Sequence, residues 1–164
     1  MLLSSPKANR FGKMVSIRES KMVDAKIDRV WEIVSDVDKD PEYWTSITSI
    51  SNIKKDMNLI ERKVKVGLIG KTSWQTIRLV PKRSVELTMT KGPIIGTREI
   101  SLSPLSSEKT EFEVLWEFEA SGVPSFARSF VAERIKQGTK EALEKIATNA
   151  SAARRKTVKK FEHV

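Results

Sequence analysis

Between Glu111 and Glu119 the chain alternates: Phe112, Val114, Trp116 and Phe118 fall on one parity, and Glu111, Glu113, Glu117 and Glu119 on the other. Successive side chains of a strand point to opposite faces, so this segment describes a sheet with one wet face and one face that must be covered. The cover follows at once. Gly122-Val123-Pro124 ends the strand, Pro124 suits the first turn of a helix, and no proline interrupts residues 125–150. There Phe126, Phe130, Val131, Ile135, Ala142, Leu143 and Ile146 recur at three- and four-residue steps, an apolar stripe. At ~1.5 Å per residue such a helix is about 35–40 Å long, enough to lie across the sheet.

The upstream chain supplies the rest of that sheet. A strand is predicted from Met14 to about Ala25, then a short helical segment and a proline-containing turn. Five further runs follow, each bounded by turn residues: Ser46–Ile53, Leu59–Gly67, Lys71–Val80, Val85–Thr90 and Ile95–Leu102. Ser103-Pro104-Leu105-Ser106-Ser107 reads as the turn before the Glu111–Glu119 strand. The predicted class is α+β: one strand, two short helices, six more strands of an antiparallel meander, and a long terminal helix.

Residues 23–44 carry a family resemblance. Val30-Trp31-Glu32-Ile33-Val34-Ser35-Asp36 reads as the helix, with Ile27, Val30, Trp31, Ile33 and Val34 on one side, and Pro41-Glu42-Tyr43-Trp44 as the turn. Together with the element order and the Gly122-Val123-Pro124 entry to the last helix, this resembles the START-like (SRPBCC, helix-grip) superfamily over roughly residues 14–150. Within it the chain looks most like the polyketide cyclase/dehydrase and coenzyme Q-binding branch. The resemblance implies a helix-grip fold, a seven-stranded antiparallel sheet curled around the carboxy-terminal helix with a hydrophobic cavity between them. It also implies a ligand such as a lipid, quinone, polyketide or plant hormone, and none of the residues that carry it is a catalytic signature.

The net charge of +9 belongs to the ends of the chain. Lys7, Arg10 and Lys13 stand in residues 1–13, and Arg154, Arg155, Lys156, Lys159 and Lys160 in residues 151–164, whereas residues 14–150 hold 22 basic and 20 acidic residues. The expected organisation is a disordered basic tail over 1–13, one ligand-binding domain over 14–150, and a basic tail or helix extension over 151–164. Such tails are either solvated or hold to nucleic acid or an anionic membrane. No cysteine is present, which rules out a disulfide-linked partner, a thiolate nucleophile and a cysteine-based zinc site. Without an apolar run long enough to span a bilayer, and with Ser4-Ser5-Pro6-Lys7 directly after Met1-Leu2-Leu3, the expected location is cytoplasmic.

No metal or cofactor is expected. Asp36, Asp38 and Asp40 alternate as in a calcium loop, but Pro41 and Ile47 occupy the positions that need glycine and glutamate. They read as solvated turn acids and a helix cap. Gly92-Pro93-Ile94-Ile95-Gly96 lacks the Lys-Ser/Thr of a phosphate loop and reads as a hairpin turn. The single histidine, His163, lies in a charged terminal segment that cannot hold a general base in reach of its target.

Three arginines share strand parity with apolar residues: Arg62 with Ile60, Val64 and Val66, Arg78 with Trp74 and Val80, and Arg98 with Ile100 and Leu102. An unpaired guanidinium in an apolar interior is costly. Each therefore either meets an internal acid such as Glu99 or Glu61, meets an anionic or carbonyl-bearing ligand, or turns to solvent at a bulge or edge. The expected ligand cavity is lined by Tyr43, Trp44, Trp74, Arg78, Met89, Arg98, Trp116, Phe126 and Phe130, with Arg98 its foremost polar residue and Trp31 left to the core. Gly138, inside the last helix, is expected to admit a strand, or else to mark a portal or a bend over the cavity. Three functions fit: non-catalytic binding or transport of a hydrophobic small molecule, a polyketide cyclase-like enzyme using Arg98, Arg78 or Tyr43 on a carbonyl, or a module docking through its basic tails.

Overall fold

The computed structural model describes residues 14–67 and 70–162. The expectations placed on residues 1–13 and on His163 lie outside them. The chain forms β1 (Val15–Val23), α1 (Ile27–Ser35), a 3-10 turn (Val37–Lys39), α2 (Asp40–Tyr43), β2 (Ile47–Lys55), β3 (Leu59–Val66), β4 (Lys71–Val80), β5 (Ser84–Lys91), β6 (Ile95–Ser106) and β7 (Lys109–Glu119). A second 3-10 turn (Ser125–Ala127) leads into α3 (Arg128–Glu162). The seven strands form one antiparallel sheet in the order β1-β7-β6-β5-β4-β3-β2, which is the predicted α+β helix-grip arrangement.

The alternation on β7 sets the faces. Phe112, Val114 and Phe118 are fully buried, while Glu111 and Glu117 face water. The same inner face takes Ile60 and Val64 from β3, Ile77 from β4, Val85, Leu87 and Met89 from β5, and Ile100 and Leu102 from β6. From the helix, Val131, Ala142, Leu143, Ile146, Ala147 and Ala150 close the core. α3 packs on β1, α1 and α2, with ties at Lys21–Glu144 (2.7 Å) and Arg29–Asn149 (3.4 Å). Among the described residues, no helix is long and apolar enough to cross a membrane.

Strand ends shift by one or two residues at several places, as at β2, which runs on to Lys55, and β7, which begins at Lys109, and two boundaries differ by more. β6 does not stop at Leu102 but continues to Ser106, because Pro104 sits beside a register shift where its missing N–H takes little from the ladder. α3 begins at Arg128, after a 3-10 turn, and runs through the basic segment as far as Glu162.

The β3–β4, β5–β6 and β7–α3 connections gather at one end of the sheet, here called the open end. Backbone contacts hold two of them together: Gly92 lies against Thr72 and Ser73, and the Gly122 N–H donates to the Pro93 carbonyl (3.0 Å).

A buried charge cluster beside a cleft under the terminal helix

α2 is only four residues long, yet it organises the interior. Pro41 fixes the backbone at its start, and the Trp44 N–H closes the turn onto the Asp40 carbonyl (2.7 Å). Residues four apart on a helical turn share a face. Asp40 and Trp44 are therefore presented together to the inner face of the sheet, and both are buried.

Arg62 on β3 answers Asp40. Its guanidinium donates to Asp40 Oδ2 (2.7 Å), to the Val37 carbonyl (2.9 Å) and, through Nε, to Gln75 Oε1 (2.9 Å). Gln75 is its cross-strand partner on β4. Arg62 is thus fully buried and held at three of its nitrogens.

Arg98 on β6 completes the cluster differently. Its guanidinium lies 4.3 Å from the centre of the Trp44 ring and 5.7 Å from that of Trp116, its cross-strand neighbour on β7. The two indoles meet edge to face at 6.1 Å. Arg98 Nη2 is 3.9 Å from Asp40 Oδ2, an ion pair but not a hydrogen bond. Its Nε and Nη2 have no hydrogen-bond partner among the described residues. Burial draws the Arg98 guanidinium down to about 10; the Asp40 carboxylate opposes this and the Arg62 cation adds to it. Two guanidinium groups share one carboxylate, so the buried cluster carries one positive charge in excess.

The expected parity holds for Arg62 and Arg98, but their partner is neither Glu61 nor Glu99. It is Asp40, and the expectation that Asp40 is a solvated turn acid is corrected. Asp38 does keep to the surface, where Asn52 and Lys55 bond it.

A cleft of about 220 Å³ opens beside this cluster, between α3 and the start of β2, lined by Thr45, Ser46, Gly67, Arg134, Ile135 and Gly138 among others. Thr45 follows Trp44 in sequence and Gly138 precedes Thr139, whose hydroxyl accepts the Trp116 Nε1–H (2.9 Å) and donates to the Ile135 carbonyl (2.7 Å). The tryptophan pair packs on Arg98 and is bonded to α3 through Thr139, and residues next to Trp44 and Thr139 in sequence line the cleft. Nothing lies within 4 Å of where a Gly138 Cβ would stand, so this glycine admits no strand. It borders the cleft.

Of the residues expected to line a cavity, Trp44, Met89, Arg98 and Trp116 come together on the inner face. Five do not join them. On β4 the residues turned inward are Ser73, Gln75 and Ile77, because Ile77 and Gln75 register with Ile60 and Arg62. Trp74 therefore lies on the outer face between Lys63 and Lys91 (5.1 and 5.6 Å), and Arg78 pairs there with Glu86 at 3.0 Å. Tyr43 turns away from Trp44 to a polar groove beside α1, where its hydroxyl accepts a bond from Asn149 (2.6 Å). Phe126 and Phe130 are exposed, at 90% and 59%, because the buried face of α3 begins at Val131. Asp40, Gln75 and Thr139 escape sequence reasoning; the one usable signal is Asp40 standing one helical turn before Trp44.

A family model described as polyketide cyclase/dehydrase and lipid transport matches residues 14–151. Among solved structures, the Zhui aromatase/cyclase of Streptomyces sp. R1128 superposes with a TM-score of 0.75 at 17% identity, over 84% of this chain and 94% of that one. A START superfamily protein from Mycobacterium smegmatis gives 0.65 at 18% identity, over 84% and 99%. A protein from Thermus thermophilus gives 0.71 at 14% identity, over 85% and 99%. At these identities the likeness is one of fold. No curated protein sequence matches the chain.

Proposed function

The chain belongs to the polyketide cyclase/dehydrase and lipid transport family, and from that premise we propose that it binds a hydrophobic small molecule carrying a carbonyl or carboxylate oxygen, without transforming it. The ligand is a lipid, isoprenoid or quinone lodged between α3 and the inner face of the sheet, with its oxygen on Arg98. One observation carries this reading. Arg98 is buried, belongs to a cluster with a net positive charge, and has two donors without partners among the described residues. A buried donor left unmatched costs roughly 1–3 kcal/mol, more when charged, so an oxygen that meets it gains that much.

Support for binding over catalysis comes from the chemistry of the neighbours. Asp40, the one carboxylate in the cluster, is committed to Arg62. Even drawn down to about 10, Arg98 stays protonated at neutral pH and serves as an anchor, not a proton shuttle. Arg78 and Tyr43, the other candidates for polarising a carbonyl, stand apart from the cluster.

Titration with a fluorescent polyene fatty acid and its methyl ester tests the proposal. Saturable binding of one molecule per chain is expected, weakened about tenfold or more by Arg98→Met. Equal affinity in the wild type and Arg98→Met would remove the anchor, and turnover of a polyketide-like substrate would replace binding with catalysis.

A further inference from the structure

The open end of the molecule carries a second set of side chains that the ligand reading leaves unused. Phe126 and Phe130 are the exposed phenylalanines of the 3-10 turn and the first turn of α3. Residues three to four apart share a helix face, so Phe130 continues toward the open end the face on which Arg134 and Gly138 border the cleft. Behind this rim, on the outer face of the sheet, Trp74 is flanked by Lys63 and Lys91, both within cation–π range of its ring. Residues 62–85 contain seven lysines and arginines and no acid. The contacts of Gly92 with Thr72 and Ser73, and of Gly122 with Pro93, tie the two regions to one end of the fold.

We propose that the open end docks on an anionic membrane surface, with Phe126 and Phe130 entering the acyl boundary and Lys63, Lys71 and Lys91 on the lipid headgroups. Exposed phenylalanines gain only where there is hydrocarbon or another apolar surface to enter, and lysines around an aromatic ring gain from phosphate or carboxylate headgroups. The combination fits a lipid interface better than a nucleic acid, whose backbone would use the lysines and leave the phenylalanines in water. Docking there places the cleft against the membrane. The inference stands apart from the ligand proposal, because it concerns residues outside the buried cluster and is read without any ligand.

Vesicle co-sedimentation of the full chain is the test, using phosphatidylcholine vesicles with and without about 30% phosphatidylserine. Binding is expected to the anionic vesicles, to fall as salt rises, and to drop about tenfold or more in both Phe126→Ser/Phe130→Ser and Lys63→Glu/Lys91→Glu. Phe126, Phe130 and Lys91 are exposed and Lys63 is half-buried, and circular dichroism checks that the variants fold. Removal of residues 153–164 is expected to leave most of the binding in place. The inference is overturned if the wild type ignores anionic vesicles, if either double variant binds like the wild type, or if the truncation alone abolishes binding. It is equally overturned if the chain binds single-stranded RNA and no vesicle, or if it is a dimer that Phe126→Ser/Phe130→Ser dissociates, which would give this face to a second copy.

Discussion

The carboxylate of Asp40, in a four-residue helix, bonds the guanidinium of Arg62, on the strand next to the β2 edge, at 2.7 Å in the interior of the protein. The pair ties the α1–α2 segment to the sheet, and among the described residues it is all that neutralises the two buried arginines. Breaking a buried pair from one side leaves its charge uncompensated, at about 3–5 kcal/mol. Asp40→Asn leaves two guanidinium groups facing each other. The expected fall in melting temperature is about 10 °C, and thermal denaturation followed by circular dichroism measures it.

Arg98→Met should act in the opposite direction. It removes the excess charge while Asp40 and Arg62 keep each other, and replacing a buried charge with an apolar side chain of similar volume is often neutral or stabilising by ~1–4 kcal/mol. Because burial lowers the Arg98 pKa to about 10, the folded chain binds this proton less tightly than the unfolded one. The resulting cost is present at neutral pH and is relieved only as pH rises above that value. An unchanged or higher melting temperature, together with lost ligand binding, is the expected pair of results.

Gly138 separates helix stability from access. With open space where its side chain would be, Gly138→Ala should stabilise α3 by ~1 kcal/mol. Gly138→Leu should keep the fold and narrow the cleft, slowing ligand association. Stopped-flow binding of the fluorescent fatty acid by the two variants distinguishes the effects.

Gly96 is the contrasting case. Its φ of 151° suits glycine, and an added Cβ would overlap the Glu117 carbonyl oxygen and stand 2.6 Å from the Phe118 Cα. Gly96→Ala should cost roughly 3 kcal/mol or more by forcing β6 away from β7. Urea denaturation gives the value.

At the surface, a bond from Asn52, then one from Lys55, holds the Asp38 carboxyl below its ordinary 3.8. A lowered carboxylate pKa contributes stability that is present above the ordinary value and lost as pH falls through the folded one. Asp38→Asn should therefore lower the melting temperature at neutral pH, and the difference should close as pH falls below 3.8 through the lowered folded value. Parallel melts across that range check it.

The sheet and its helical cover were legible because β7 alternates, save at Leu115, and residues 125–150 hold no proline. β4 was not, since Trp74 and Val80 occupy one parity and Ile77 and Leu79 the other, and only the pairing with β3 selects the inner set. That choice decides why Arg78 meets solvent while Arg62 does not. The need of Arg62 and Arg98 for a partner could be read from their neighbours. Its identity could not, because Asp40 sits in an acidic turn whose residues look alike until the fold brings one of them beneath the sheet. Phe126 and Phe130 fit the helical stripe as well as Val131 does; Phe126 precedes α3, and the buried face of the helix begins only at Val131.

Native mass spectrometry of gently purified wild-type protein and Arg98→Met addresses the central claim most directly. The account predicts a small-molecule mass on the wild type at one per chain, released on denaturation and absent from a folded Arg98→Met. A wild type that never carries such a mass when purified from lipid-containing cells, or a variant that carries it equally, would contradict it.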